Sequence, residues 1–305
     1  MPHEVLVLFA EPAEARALAP LLSAYEARGL SVVQRPALPA SEAALAQSIV
    51  ADDARAVLMV GRRSRAPRTV LGGPWVETSG GRRVPVGWLP AVDGASLSRF
   101  ATAAAELHAR AGDVPSLALL AQRHPRFSRL ARRIATLLSD RPVLRWTAEE
   151  VTPEDLLLGL RSGLGAAVYV GHGRPVGWAG YYGVRAHHFD DFSGAPTGAV
   201  LSLCCRTASR KNTGLSFAEA LPLRGVCGAV FAAVDDTLHT DNTRWAVRLC
   251  DALLAGARDL GELVTRAAPI GSRSARSYRI LGDPLAPLWA PRTGLERAQE
   301  IKVWQ

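Results

Sequence analysis

Two residue types that together can open an amide bond lie close in this sequence. His172 closes an apolar run, Gly165-Ala166-Ala167-Val168-Tyr169-Val170-Gly171, and the pair Cys204-Cys205 closes a second, Gly198-Ala199-Val200-Leu201-Ser202-Leu203. A thiol attacks a carbonyl as its thiolate, and a neighbouring imidazole can take the proton. His172 and Cys205 are 33 residues apart, one strand–loop–strand distance. Gly173 follows the histidine directly. A glycine there permits close backbone approach, and its N–H, beside that of the cysteine, can face a developing oxyanion. Successive strand residues face opposite sides, so only one of Cys204 and Cys205 can meet the imidazole, and the other packs as a small hydrophobe.

The elements that must hold these groups follow from the apolar pattern. Continuous apolar runs of this length suit strands buried on both faces of a parallel sheet, and sites in such sheets form outside the carboxyl ends of the strands. A third run, Val226–Val234, ends in Asp235-Asp236. Upstream, Val5–Phe9, Leu30–Val33 and Ala56–Val60 read as strands. They alternate with a helix over 13–28 that stops at Gly29 and another from a Ser41 cap to Ala51. That β-α-β-α-β order implies parallel strands with right-handed crossovers. Residues 62–81 read as loops with a hairpin, Val84–Pro90 as an extended piece, and 96–111 as a helix. Gly112-Asp113 breaks the pattern. It divides an N-terminal α/β subdomain (1–112) from the half that carries His172 and the cysteines (113–292), with a tail at 293–305. The second half alternates again: a strand at 116–121, a basic amphipathic helix over 125–139, a strand at 142–146, and a helix opened by Thr152-Pro153-Glu154. After the three apolar runs and the Ser216 helix come helices over 240–254 and 260–267.

Composition narrows the class. The chain has 305 residues, 48% hydrophobic and 21% charged, which is a globular balance with enough length for a sizeable core. No apolar run reaches the roughly 18 residues of a membrane span, so no membrane partner is expected. Met1-Pro2-His3-Glu4 shows no basic region ahead of an apolar one, and the expectation is a cytoplasmic protein. The net charge of +8 comes from arginine far more than lysine. An acidic partner such as nucleic acid would suit it, and Arg62-Arg63-Ser64-Arg65-Ala66-Pro67-Arg68 is the run that would serve. No zinc-finger spacing or RNA-binding aromatic motif accompanies that run, which reads as a solvated loop, and nucleic acid is not the expected partner. The four cysteines all lie after residue 203 and form no extracellular disulfide framework. There is no Cys-x-x-Cys pair and no zinc spacing, so no metal is expected. His187 and His188 are too close in sequence to ligate together easily, and His239 reads as a residue near a helix start. Neither a Walker loop nor Gly-x-Gly-x-x-Gly follows the first strand, so no nucleotide cofactor is expected.

The wording of the motifs adds a resemblance. Tyr169-Val170-Gly171-His172-Gly173, with Trp178 downstream, resembles the histidine motif of gingipain-type peptidases and of the wider caspase-like clan. Leu201-Ser202-Leu203-Cys204-Cys205-Arg206-Thr207 resembles the cysteine motif, in which a small residue precedes the nucleophile. Phe217-Ala218-Glu219-Ala220-Leu221 resembles the helix that follows it. Val234-Asp235-Asp236 with the helix to Gly256 is similar to a segment of CHAT-type caspase-like domains, and Leu281-Gly282-Asp283-Pro284 to the closing segment of gingipains. Val84–Pro90 leading into the 96 helix is similar to a segment of their first subdomain. The motifs run in the right order over about residues 55–290.

The resemblance implies a caspase-like, Rossmann-like α/β fold: a mostly parallel sheet sandwiched by helices, with a smaller Rossmann-like subdomain in front. It implies a cysteine endopeptidase acting on a protein or peptide. His172 would be base and acid, and Gly173 and the cysteine N–H the oxyanion donors. The motif wording favours Cys205 as nucleophile, with Cys204 the alternative. Relatives that cut after Arg or Lys use an acidic pocket. Asp235 and Asp236, or Asp190 and Asp191, would line it here, with Trp178 beside the substrate. The resemblance further implies a regulated bacterial switch that cleaves one partner in cell death or defence, with a gasdermin-like pore former as the model partner. Two rival readings are a non-catalytic caspase-like binding module and a basic nucleic-acid-binding α/β protein.

Overall fold

The computed structural model describes residues 4–300, leaving out 68–70, 111, 113, 149 and 269–272. Arg68 of the basic run, Asp113 of the inferred boundary and the last five residues of the tail lie outside the described residues.

The first part carries β1 (Glu4–Phe9), α1 (Pro12–Ala17), α2 (Ala19–Ala27), β2 (Ser31–Arg35), α3 (Glu42–Ala51), β3 (Ala54–Arg62), β4 (Trp75–Glu77), β5 (Arg83–Ala91) and α4 (Gly94–Ala109). Ser41 caps α3, accepting from Ala44 N–H at 3.2 Å. The helix expected over 13–28 is two helices broken at Leu18, because Pro20 has no N–H to continue the ladder. β5 lies inside the sheet although it holds two prolines. Val86–Ala91 make the parallel ladder with Val57–Arg62, with Pro90 opposite Gly61, while Pro85 lies opposite Trp75 of β4.

The second part carries β6 (Val114–Pro115), β7 (Leu117–Ala121), α5 (Pro125–Leu137), β8 (Val143–Thr147), α6 (Pro153–Gly159), β9 (Ala166–Val170), the hairpin β10 (Gly173–Arg174) and β11 (Gly177–Trp178), and β12 (Thr197–Leu203). It ends with α7 (Phe217–Leu223), β13 (Cys227–Ala233), α8 (His239–Leu254), α9 (Leu260–Ala267), β14 (Tyr278–Gly282), β15 (Trp289–Ala290) and α10 (Arg292–Gln299).

One sheet crosses both parts in the order β2-β1-β3-β5-β14-β13-β12-β9-β7-β8, with β4 added to β5. All pairings along that path are parallel except β13 with β14. β9, β12 and β13 are buried along their whole lengths, as expected for strands covered by helices on both faces. Among the described residues no helix is long and apolar enough to cross a membrane.

The seam between the parts is short: among the described residues Ile280 pairs with Gly87 and Leu281 with Trp88 across it. A Cβ on Gly87 would stand 2.1 Å from the carbonyl oxygen of Gly282, so only glycine permits that approach. Polar groups bolt the seam. Tyr25 Oη–H donates to Asp283 Oδ1 at 2.5 Å, and His108 Nε2 lies 2.6 Å from Asp283 Oδ2. Arg28 Nη1 is 2.5 Å from His108 Nδ1. A guanidinium only donates, so Nδ1 accepts and Nε2–H donates to the carboxylate.

Candidate active site

Register puts the histidine and a cysteine at one height. β9 and β12 are adjacent and parallel, and Val170, the last residue of β9, pairs with Leu203, the last of β12. His172 and Cys205 each follow two residues later, on strands about 4.8 Å apart. Parity puts them on one face. Val168, Val170, Leu201 and Leu203 all belong to the core beneath α5 and α8, and His172 and Cys205 continue those two alternations. The imidazole is where that predicts, meeting Phe127 of α5 edge-on at 5.1 Å between ring centroids.

The neighbouring backbone is built for close approach. His172 N–H donates to Gln122 Oε1 at 2.7 Å, and its carbonyl accepts from Tyr169 Oη–H at 3.0 Å and Ala179 N–H at 2.9 Å. With that last bond in place, Gly173 and Trp178 form the hairpin pair that exchanges no hydrogen bonds. Gly173 N–H is therefore left out of the ladder. A Cβ on Gly173 would lie 2.4 Å from Cys205 O and 2.5 Å from Cys204 Sγ. Cys205 N–H has no acceptor among the described residues. Directly after it, Arg206 takes φ +59°, turning the chain away from the strand. Among the described residues, neither the Gly173 nor the Cys205 amide is thus spent on a backbone bond.

The two cysteines differ sharply. Cys204 is wholly buried on the opposite face, 3.2 Å from Ser202 Oγ. Burial is the largest influence on its thiol, which is pushed up to about 12. Cys205 is half-buried, and its Sγ accepts from Thr237 N–H at 3.4 Å. Cys227 and Cys250 are buried as well; burial raises both thiols, that of Cys250 to about 12.

Residues 120–289 match the family model of Peptidase family C25. That span is more than half of the chain and holds His172 and both cysteines. The chain belongs to Peptidase family C25. It is thus a cysteine endopeptidase, and its fold is the caspase-like one that the motifs led us to expect. It is similar to the Arg-specific cysteine proteinase gingipain R (RgpB), at 16% identity and a TM-score of 0.74 over 93% of this chain and 78% of that one. It is similar to the complex of the Porphyromonas gingivalis RgpB pro- and mature domains, at 16% identity and a TM-score of 0.70 over 93% and 79%. It also resembles separase from Saccharomyces cerevisiae, in its complex with securin, at 16% identity and a TM-score of 0.53. That match covers 74% of this chain and 15% of that one. At this identity the likenesses speak to the fold. No curated protein matches the sequence.

The peptidase distributes the other expected site residues unevenly. Trp178 does not line a surface. It is 2% exposed, stacked on Tyr169 at 4.6 Å, and its indole N–H donates to Ser202 Oγ at 2.8 Å. Its role is to pack the floor beneath Cys204. Asp236 is ion-paired with Arg206, and Asp190 with Arg224 at 2.7 Å, so both carboxylates have partners within the chain. Asp191 is exposed in the loop before β12. Asp235 is half-buried and lines a cavity of about 420 Å³ together with Ser41, Glu42, Met59, Arg65 and Arg279. His187 and His188 sit on the surface in a short 3-10 turn. His239 opens α8 and meets Phe127 edge-on at 5.9 Å between ring centroids.

Four contributors escape sequence reasoning. Gln122 and Phe127 approach His172 from β7 and α5, and Thr237 touches Cys205. Asn242 Nδ2–H donates to Leu203 O at 3.2 Å and holds the end of the cysteine strand. Tyr278 Oη–H fixes Asn242 in turn, at 2.7 Å. Gln122 alone left a trace: it ends an apolar strand just as His172 and Cys205 do.

Proposed function

We propose that Cys205 is the nucleophile and His172 the base and acid of this peptidase, and that it cuts after Arg or Lys in a specific protein partner. The observation that carries the dyad is the matched register of Val170 with Leu203, which sets both groups on one face at the same distance beyond their strands. His172 takes the thiol proton, and Sγ attacks the carbonyl carbon of the scissile bond. The N–H groups of Gly173 and Cys205 meet the oxyanion. His172 returns the proton to the leaving amine, and water then hydrolyses the thioester.

The basic preference is supported by the name of gingipain R, described as Arg-specific. Asp235, half-buried at the wall of a cavity of about 420 Å³, and Asp191, exposed ahead of β12, are the carboxylates that would meet the basic side chain. The wider role is part of the same proposal: an intracellular bacterial switch that cleaves one partner, with a gasdermin-like pore former in defence as its model. It rests on the family resemblance.

The test is labelling with an arginyl chloromethyl ketone, followed by mapping of the modified residue in the wild-type chain and in Cys205→Ala, Cys204→Ala and His172→Ala. Label on Cys205 that is lost in His172→Ala supports the dyad and the basic preference together. Label on Cys204 would overturn the assignment. Labelling by a neutral peptide ketone alone would overturn the basic preference.

A further inference from the structure

The helix that supports His172 also carries the densest run of positive charge beside the site. Arg126, Arg129, Arg132 and Arg133 of α5 are all exposed, while Phe127, Leu130, Ala131 and Ile134 are buried. At 100° per residue, Arg126, Arg129 and Arg133 fall within about 60° of one another and form a single stripe. No Asp or Glu occurs between Gln122 and Ser139, so α5 offers these cations no partner of its own. Among the described residues none of the four is in an ion pair. Among the described residues, Glu150 is a carboxylate near this region; it lies 4.0 Å from Arg145 and shares with Arg132 a polar cleft of about 310 Å³.

Phe127 touches both His172 and His239, so the arginines begin one residue from the wall of the catalytic groove. Burial first, then Arg126, Arg129 and His124, lowers the pKa of His239, in keeping with positive charge on that side of Phe127. The one aromatic residue of α5, Phe127, is 5% exposed and offers no platform on which a base could stack.

We propose that the Arg126–Arg129–Arg133 stripe is an exosite for an acidic stretch of the substrate polypeptide flanking the bond to be cut. The proposal rests on the reading of His172 and Cys205 given above, because the molecule that must pass Phe127 to reach them is a polypeptide. An acidic flank is drawn in by the field and held beside the site, which raises encounter and lowers KM. A neutral flank gains nothing.

The experiment measures binding with the full chain carrying Cys205→Ala, so that its outcome does not depend on turnover. Labelled peptides share a central arginine and carry Glu, Gln or Lys flanks. At about 50 mM salt the Glu peptide should bind about ten-fold tighter than the Gln peptide, and the gap should close as salt shortens the Debye length. Adding Arg129→Glu with Arg133→Glu, both on the exposed face, should reverse the order in favour of the Lys peptide. Equal affinity for Glu and Gln peptides, or an order unmoved by charge reversal, would overturn the exosite. So would displacement of the Glu peptide by an oligodeoxythymidine that binds more tightly, since the row would then belong to nucleic acid. Cleavage of the Gln peptide by the wild-type chain reports separately on the dyad.

Discussion

His172 and Cys205 stand the same two residues beyond a directly paired couple, Val170 and Leu203, on the same face of one sheet. Cys204, one residue earlier, is turned into the opposite core against Ser202. The consequence is chemical selectivity between adjacent thiols. With its thiol at about 12, Cys204 is thiolate to only about one part in ten thousand at pH 8. Iodoacetamide at pH 8 should therefore modify Cys205 and spare Cys204, as read by peptide mapping. Cys205→Ala should lower kcat/KM by at least about a thousand-fold. Cys204→Ala should leave turnover within about ten-fold and cost about 1–2 kcal/mol in urea unfolding.

Gly173 is pinned between the two cysteines, and the atoms that a side chain would meet include the backbone oxygen of Cys205 at 2.4 Å. Backbone cannot swing aside as a flexible side chain can. Gly173→Ala should displace one oxyanion amide and the following hairpin together. The expected result is a fall in kcat of about a hundred-fold or more, with a lower melting temperature. Wild-type kcat in this variant would show that the amide at 173 takes no part in the reaction.

Much of this was legible in the sequence, for a definable reason. Strands buried on both faces write themselves as unbroken apolar runs, so the ends of β9, β12 and β13 could be read, and with them the positions of His172 and Cys205. The N-terminal alternation was equally visible. Contacts between distant segments were not. Nothing near Thr237 announces that it will touch Cys205, and nothing in α8 announces that Asn242 will hold Leu203. Partners of two of the four acids were hidden, because an ion pair formed within the fold looks, in sequence, like a free carboxylate. Asp236 goes to Arg206 and Asp190 to Arg224. Trp178 misled because its indole N–H finds a buried partner, Ser202, on a strand that sequence order alone does not bring beneath it.

The loop after the cysteine is anchored by a buried pair. Arg210 Nε donates to Glu219 Oε2 at 2.8 Å and its Nη2 to Oε1 at 2.6 Å, while Ser216 Oγ–H donates to Oε2 at 2.8 Å. Glu219 is wholly buried. Arg210→Ala strands that carboxylate and should cost about 3–5 kcal/mol. Replacing both residues with apolar ones should recover part of the loss, because the stranded charge is removed as well. The same anchoring predicts that trypsin cuts after the exposed Lys211 before Arg210, as peptide mapping of brief digests would show.

Tyr25, His108 and Asp283 form one network across the short β5–β14 seam. Tyr25→Phe removes one donor and should cost about 1–2 kcal/mol, and His108→Gln a comparable amount. Because both lean on one carboxylate, the double variant should differ from the sum of the two by at least about 0.5 kcal/mol in urea unfolding. Strict additivity would mean that the two bonds are independent.

His239 supplies a pH test of the electrostatics around Phe127. Burial, then Arg126, Arg129 and His124, hold its pKa below the ordinary imidazole value. Between the folded and the ordinary value, near 6.5, the unfolded chain binds a proton that the folded chain does not. Stability therefore falls as pH drops through that window, and His239 contributes nothing to pH dependence above it. The ring-proton NMR titration of His239, assigned with His239→Asn, should have its midpoint below that of a free imidazole. Arg126→Gln should move the midpoint upward, and added salt should do the same. A midpoint indifferent to both would mean that the arginine row does not project its field onto the site, leaving burial as the whole cause.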